Sequence, residues 1–273
     1  MSHDREHEYD AFKAGIYDGY FTGVEGDVPF YVEEAQRTLG ADAGEAGGAV
    51  LELGCGTGRI TFALAQAGFM VVGLDNSQSM LDNAYTKSTT LPPEQRARVT
   101  LVAGDMRKLT LKQRFPLILI PYRAFMHLLT PQDQIQALLS MRTHLTSGGR
   151  LILNLYDPTT EWLAGQSLDA ALRYDTTFTH PDSGLRIATW YSRRFDLERQ
   201  WIEQQMIFEE LDEMGRVTER HVSPLTLRYS HRYEMHYLLE LCGYEVDELY
   251  GDFQRKPFSG SEQVWVAHRA RRM

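Results

Sequence analysis

A few short stretches hold the residues whose types and spacing could do chemistry. In Val50-Leu51-Glu52-Leu53-Gly54-Cys55-Gly56-Thr57-Gly58-Arg59, three alternating glycines follow an apolar run and precede a helical pattern. Glycine adopts positive φ and lets a ligand approach the backbone, and a helix start offers N–H groups to an anion. The spacing is G-x-G-x-G behind an acidic residue, Glu52. A dinucleotide fingerprint, G-x-G-x-x-G, needs a small residue where Arg59 stands, and no Gly-Lys-Ser/Thr follows for a phosphate-cradling P-loop. Asp75 ends the next apolar run, 21 residues beyond Gly54. An ionised carboxylate there suits the paired hydroxyls of a ribose. Gly104-Asp105-Met106 ends the third run, where Asp105 can accept from an exocyclic amino group and Met106 can pack on a ring. The rival reading of each aspartate is a turn residue or helix cap.

A second group follows the fourth run, in Pro121-Tyr122-Arg123-Ala124-Phe125-Met126-His127. His127 is a candidate base, and its plain alternative is a half-buried packing residue. Arg123 suits a carboxylate partner, or is simply an exposed loop cation. Tyr17, Phe21, Tyr31 and Tyr156 would form an aromatic wall around a cation, or ordinary core. His3 and His7 read as solvated. His231 and His236 fall on a late helix and receive no role.

These groups need elements to hold them. Apolar runs at Ala49–Leu53, Met70–Asp75, Val99–Ala103, Leu117–Pro121 and Leu151–Tyr156 predict strands buried on both faces, as in a parallel sheet. Helices are predicted from Asp27 (with Asp27 as cap and Pro29 in the first turn), over Arg59–Ala67, after the cap Ser77, and from the capping box at Thr130 to Leu145. Ser147-Gly148-Gly149 turns the chain into the next strand. Strand–helix alternation with short loops predicts an α/β fold, a doubly wound, mostly parallel Rossmann-like sheet. Looser spots are Gly40–Gly48, Thr89–Glu94 and Gln254–Ser261. Arg186–Asp196, Trp201–Glu213 and Val217–Tyr229 predict an inserted antiparallel meander. A helix capped by Ser230 and ended by Gly243 precedes two strands, Glu245–Phe253 and Val264–His268. The expected organisation is one domain: an N-terminal helical cover (1–48), a core (49–156), an inserted β-layer (157–229), and a last helix with two strands (230–273).

The chain has 273 residues and a formal charge of −9, and residues 1–48 alone hold 11 acidic against three basic side chains. Such an arm repels a polyanion and argues against nucleic-acid substrates. With only Cys55 and Cys242, a disulfide framework or cysteine-built zinc site is excluded, and no metal is expected. No apolar stretch suits a signal peptide or a membrane span, so a soluble, cytoplasmic protein is expected.

Taken in order, these motifs resemble the class I S-adenosylmethionine-dependent methyltransferase family, of the bacterial small-molecule type. The resemblance is strong over residues 49–156 and looser over the final helix and strands. It implies S-adenosylmethionine as cofactor, with Glu52, Gly54, Cys55, Gly56 and Gly58 around the aminocarboxypropyl end. Asp75 would hold the ribose hydroxyls and Asp105 with Met106 would meet the adenine, with Asn76, Met80 and Gly104 as further cofactor-binding candidates. Pro121, Tyr122 and Arg123 would border the sulfonium. Tyr17, Phe21, Tyr31, Arg123, His127 and Tyr156 would face the acceptor, with His127 and Tyr17 as candidates for catalysis. Tyr17-Asp18 and Asp27–Tyr31 also look like the helical cover of sugar-amine N-methyltransferases.

The implied reaction is in-line methyl transfer to N or O of a small molecule. The alternatives are a protein or tRNA acceptor, another transfer from the same cofactor such as an aminopropyl group, and a non-enzymatic binding module. Adenine-N6 enzymes need Asn/Asp-Pro-Pro-Tyr/Phe where Leu119-Ile120-Pro121-Tyr122 stands, and cytosine-C5 enzymes need a Pro-Cys that is absent there. The meander, with the helix from Asp27 to Leu39, is expected to wall the acceptor pocket; its rival role is a homodimer surface.

Overall fold

A central apolar strand flanked by others needs no polar face, and β1 (Val50–Leu53) and β2 (Val71–Asp75) are buried at every position. In a computed structural model of the protein, residues 11–40, 48–159, 163, 171–180 and 183–270 are described. His3, His7 and most of the Gly40–Gly48 loop lie outside them. The described chain divides into two units, one of residues 11–22 with the described part of 159–228, the other of 23–158 and 229–270.

The larger unit holds a seven-stranded sheet ordered β10-β11-β5-β4-β1-β2-β3. Here β3 is Val99–Ala103, β4 Phe115–Ile120, β5 Leu145–Asp157, β10 Tyr244–Tyr250 and β11 Ser261–Arg269. β1 to β5 run parallel, and β11 lies antiparallel to both β5 and β10. The chain winds outward from β1 in both directions, so the switch point lies between β1 and β4, where such sheets bind ligands at their strand C-termini. α2 (Asp27–Leu39) and α3 (Arg59–Gln66) cover one face: Phe30, Tyr31, Ala35, Ile60 and Leu64 pack on Val50, Val71, Leu117, Leu119 and Ile152. Each such fully buried side chain contributes about 1.5–3 kcal/mol by leaving water.

The remaining helices are α4 (Gln78–Ser88), α5 (Pro93–Arg96), α6 (Pro131–His144) and α7 (Arg232–Leu241). Ser77 caps α4 by accepting from the Met80 amide at 3.3 Å, and Thr130 caps α6 by accepting from Asp133 at 3.1 Å, both as the sequence predicts. Three details differ. α2 is capped by Gly26 in the left-handed region, because the Asp27 carboxylate is turned back onto the Val24 amide and out to Arg59. α7 starts after His231 rather than Ser230, and the His231 side chain does not cap it. β5 begins at Leu145 and runs through Ser147-Gly148-Gly149, which therefore continue the sheet.

The smaller unit is a four-stranded antiparallel sheet, β6-β7-β8-β9. β7 (Arg186–Asp196), β8 (Trp201–Leu211) and β9 (Val217–Arg228) match the predicted meander within two residues. β6 (Arg173–Thr179) was not predicted. On β8 the alternation holds: Ile202, Met206 and Phe208 are buried. α1 (Ala11–Tyr20) packs there, with Ile16 against Ile187, Met206 and Phe208.

Candidate active site

The glycine loop leaves the C-terminal end of β1 and opens α3. Gly54, Gly56 and Gly58 have φ of 71°, 56° and 88°, a region that β-carbon-bearing residues avoid. At Gly54 the requirement is doubled, because a Cβ would stand 2.6 Å from Ala124 Cβ on the loop after β4. The two loops therefore touch, and the glycine sets their spacing. Gly58 heads α3 as a cap without a side chain, and the Glu52 carboxylate takes the Thr61 amide in the first turn.

Two carboxylates flank this loop, and a third follows β3. Glu52, 2% exposed, is bonded by the Thr61 hydroxyl. Burial pushes its carboxyl up to about 8, against the opposing pull of Thr61 and Arg59. A buried acid held near neutrality is poised to ionise when a cation arrives. Asp75 accepts from the Gly56 and Ser77 amides, each at 2.8 Å, and so ties β2 to the glycine loop. Burial raises the Asp75 carboxyl, and those two amides and the charge of His127 lower it, which places His127 within electrostatic reach of Asp75. Asp105 is the start of a short 3-10 turn, Met106–Lys108, and its carboxylate takes the Arg107 amide at 2.8 Å and the Arg107 guanidinium at 2.6 Å. Arg107 also reaches Asp133 at 2.8 Å. The cap reading of Asp105 is thus realised, and the pairing with Arg107 is one that the sequence did not disclose.

Around these groups, Cys55 and Met80 are buried, Gly104 donates its amide to the Asp75 carbonyl at 2.9 Å, and Asn76 is exposed. The loop after β4 is held under strain. Tyr122 and Arg123 have consecutive φ of 50° and 64°, an arrangement costing about 1–3 kcal/mol for each non-glycine residue. Buried Asn154 of β5 fixes it: Asn154 Oδ1 accepts from the Tyr31 hydroxyl at 3.1 Å and the Arg123 amide at 3.3 Å. Asn154 Nδ2 donates to Glu262 at 2.6 Å, and Glu262 in turn pairs with Arg123 at 2.6 Å. The Arg123 guanidinium lies 5.2 Å from the centre of the Tyr156 ring. Tyr31 is therefore a fully buried strut, while Arg123 and Tyr156 meet at the end of β5. Tyr17 and Phe21 belong to the smaller unit, where their rings stack at 4.7 Å. Asn154, Glu262 and the Arg59–Asp27 pair were missed in the sequence, since nothing local marks residues that meet across 108 or 32 positions.

Known proteins share this geometry. Residues 50–149 match the family model described as a methyltransferase domain. A curated relative, the cypemycin N-terminal methyltransferase of a Streptomyces species, is 36% identical over 41% of this chain and 43% of its own length. The match thus spans less than half of that relative. The solved CcbJ methyltransferase from Streptomyces caelestis is 27% identical, with a TM-score of 0.78 over 97% of this chain and 99% of that one. Residues 50–149 carry a methyltransferase domain. The cofactor expected for such a domain is S-adenosylmethionine. The fold is shared with CalS10 from Micromonospora echinaspora, described as a SAM-bound amino pentose methyltransferase, at 22% identity and a TM-score of 0.68 over 96% of this chain and 97% of that one.

The donor set of the methyltransferase domain fits that cofactor. A buried carboxylate able to ionise suits the ammonium, the start of α3 suits the carboxylate, and Asp75 offers acceptor oxygens to a diol. Among the described residues, no helix is long and apolar enough to cross a membrane.

Proposed function

We propose that the protein methylates a nitrogen or oxygen of a small molecule. The carrying observation is the convergence of Glu52, the start of α3 and Asp75 at the C-terminal ends of the central strands. The cofactor supplies a methyl group already activated on a sulfonium, so the chain has to align an acceptor and keep water out. In this reading Glu52 takes the ammonium, Gly54, Cys55, Gly56 and Gly58 line the aminocarboxypropyl chain, and Asp75 with Asn76 takes the ribose. Met80, Gly104, Asp105 and Met106 sit on the adenine side. Tyr122 and Arg123 hold the sulfonium end, and His127 stands beside them.

The fold shared with CalS10, described as an amino pentose methyltransferase, supports a small acceptor, and the acidic charge argues against a polyanionic one. The test is thermal shift with S-adenosylmethionine, S-adenosylhomocysteine and NADH, followed by methyl transfer to a panel of amines, phenols and carboxylates. Stabilisation by the first two and transfer to a panel member is expected. Equal stabilisation by NADH would sink the cofactor assignments above.

A further inference from the structure

At the end of β5 a histidine given no role by the sequence joins a chain of hydrogen bonds whose polarity can be worked out. Trp265 Nε1 donates to Gln263 Oε1 at 2.7 Å. An indole N–H can only donate, so the Gln263 amide is fixed with its oxygen toward Trp265. Gln263 Nε2 therefore donates, to Asp157 Oδ2 at 2.6 Å and to the Ser230 carbonyl at 3.0 Å. Asp157 accepts as a carboxylate, and its other oxygen lies 2.7 Å from His231 Nδ1. His231 must then carry its proton on Nδ1, which leaves the lone pair of the neutral ring on Nε2. Gln263 and Trp265 are buried and Asp157 nearly so, whereas the His231 side chain is 49% exposed.

His231 stands at the head of α7, yet its side chain does not cap that helix. It is turned instead toward the strand end. Asp157 closes β5 at the C-terminal edge of the parallel strands, next to Tyr156, whose amide meets Met126 Sδ at 3.3 Å and whose ring lies under Arg123. Neighbouring residues of β11 serve both groups: Glu262 holds Arg123 and Asn154, while Gln263 holds Asp157. The dyad is therefore anchored one residue from the side chains that carry the strained loop after β4. Its other neighbours are the Tyr229 ring at 5.3 Å and Arg232, whose guanidinium lies over Tyr233 and Phe258.

We propose that His231, oriented by Asp157, is the proton acceptor for an amine that reaches the site as an ammonium ion. The Nε2 lone pair forms the new N–H bond, the electron pair of the broken N–H bond stays on the amine as its nucleophilic pair, and the imidazolium later gives the proton to water. Asp157, Gln263 and Trp265 are positioning residues. This rests on the methyl-transfer reading above and narrows its acceptor to a basic nitrogen.

The experiment uses the full chain loaded with S-adenosylhomocysteine and histidine-labelled for nitrogen NMR. The expected neutral His231 carries its proton on Nδ1, and Asp157→Asn shifts it toward Nε2; a wild-type ring protonated on Nε2 overturns the proposal without any acceptor. The second arm compares wild type with His231→Gln in methyl transfer to benzylamine and an aminohexose across pH. The variant should lose tenfold or more at pH 7 and less than threefold at pH 9.5, where the amine sheds its own proton. A loss of the same factor at every pH, or none, overturns it. Calorimetric binding of S-adenosylhomocysteine, unchanged within twofold in both variants, separates this outcome from a failure of the cofactor assignment.

Discussion

Arg59 closes on Asp27 with two parallel hydrogen bonds, 2.8 and 2.6 Å, and so fastens the start of α2 to the start of α3. The same guanidinium lies 5.6 Å from the centre of the Tyr122 ring, and a Cβ on Gly23 would strike it at 2.5 Å. One side chain thus registers three segments around the glycine loop. Asp27 is 3% exposed, so removing its partner strands a buried charge. Arg59→Met should cost about 2–4 kcal/mol, below the fully buried case because Arg59 is partly solvated. Urea unfolding of the variant checks this, and a loss under 0.5 kcal/mol, about the scale of a neutral surface change, would mean the pair is decorative.

Glu52 makes both stability and cofactor binding depend on pH. Its carboxyl titrates at about 8 in the folded chain against an ordinary 4.5. Between those values the folded state holds a proton that the unfolded state has lost, so this group's contribution to stability is greatest below 4.5 and falls as pH rises through 8. Glu52→Gln should therefore show a smaller drop in Tm from pH 5 to pH 8 than wild type. An ammonium partner favours the ionised acid, so S-adenosylhomocysteine should release up to one proton from Glu52 at pH 7. Calorimetry in phosphate and Tris buffers measures that release, and its persistence in Glu52→Gln would assign the proton elsewhere.

Asp75 holds two backbone amides, and in the proposed reading it also takes the ribose. Asp75→Ala should weaken S-adenosylmethionine by about 1–3 kcal/mol and lower stability too, because the Gly56 and Ser77 amides lose their acceptor. Equilibrium dialysis and a melting curve on the same preparation read both effects. An unchanged dissociation constant would move the ribose contact to another residue.

Asn154 is the keystone of the strained loop. Asn154→Leu leaves the Tyr31 hydroxyl and Glu262 short of a partner in the core, at a cost of about 1–3 kcal/mol for each buried group left unsatisfied. Amide hydrogen exchange should rise at residues 121–127 before it rises in β4. Uniform acceleration over both would show that Asn154 supports the sheet and not the loop.

The parts legible in the sequence were those whose signal is local. The parallel strands announce themselves by unbroken apolar runs, and the glycine loop by a spacing that admits few conformations. Ser77 and Thr130 act within three residues, so their capping roles could be read directly. Asp27 shows the limit: a cap by type, it is drawn off by an arginine 32 positions away. β6 stayed hidden because Arg173–Thr179 is an edge strand with no buried position, and so lacks the alternation that marks a half-buried one. The Asn154–Glu262 and Asp157–His231 pairs bridge 108 and 74 positions and exist only once β5, β11 and α7 are side by side.

Cys55 acquires a particular meaning from its place inside the glycine loop. Sulfonium methyl donors alkylate soft nucleophiles without help, and a thiolate is the softest nucleophile a protein carries. Cys55 is 4% exposed, and burial, reinforced by the charges of Glu52 and Asp75, pushes its thiol far above the usual range. The sulfur is thereby kept as a neutral S–H whose nearest polar contact is the Gly56 carbonyl. The packing that seats the loop against β2 also protects the protein from methylating itself, so mass spectrometry after prolonged incubation with S-adenosylmethionine should find Cys55 unmodified.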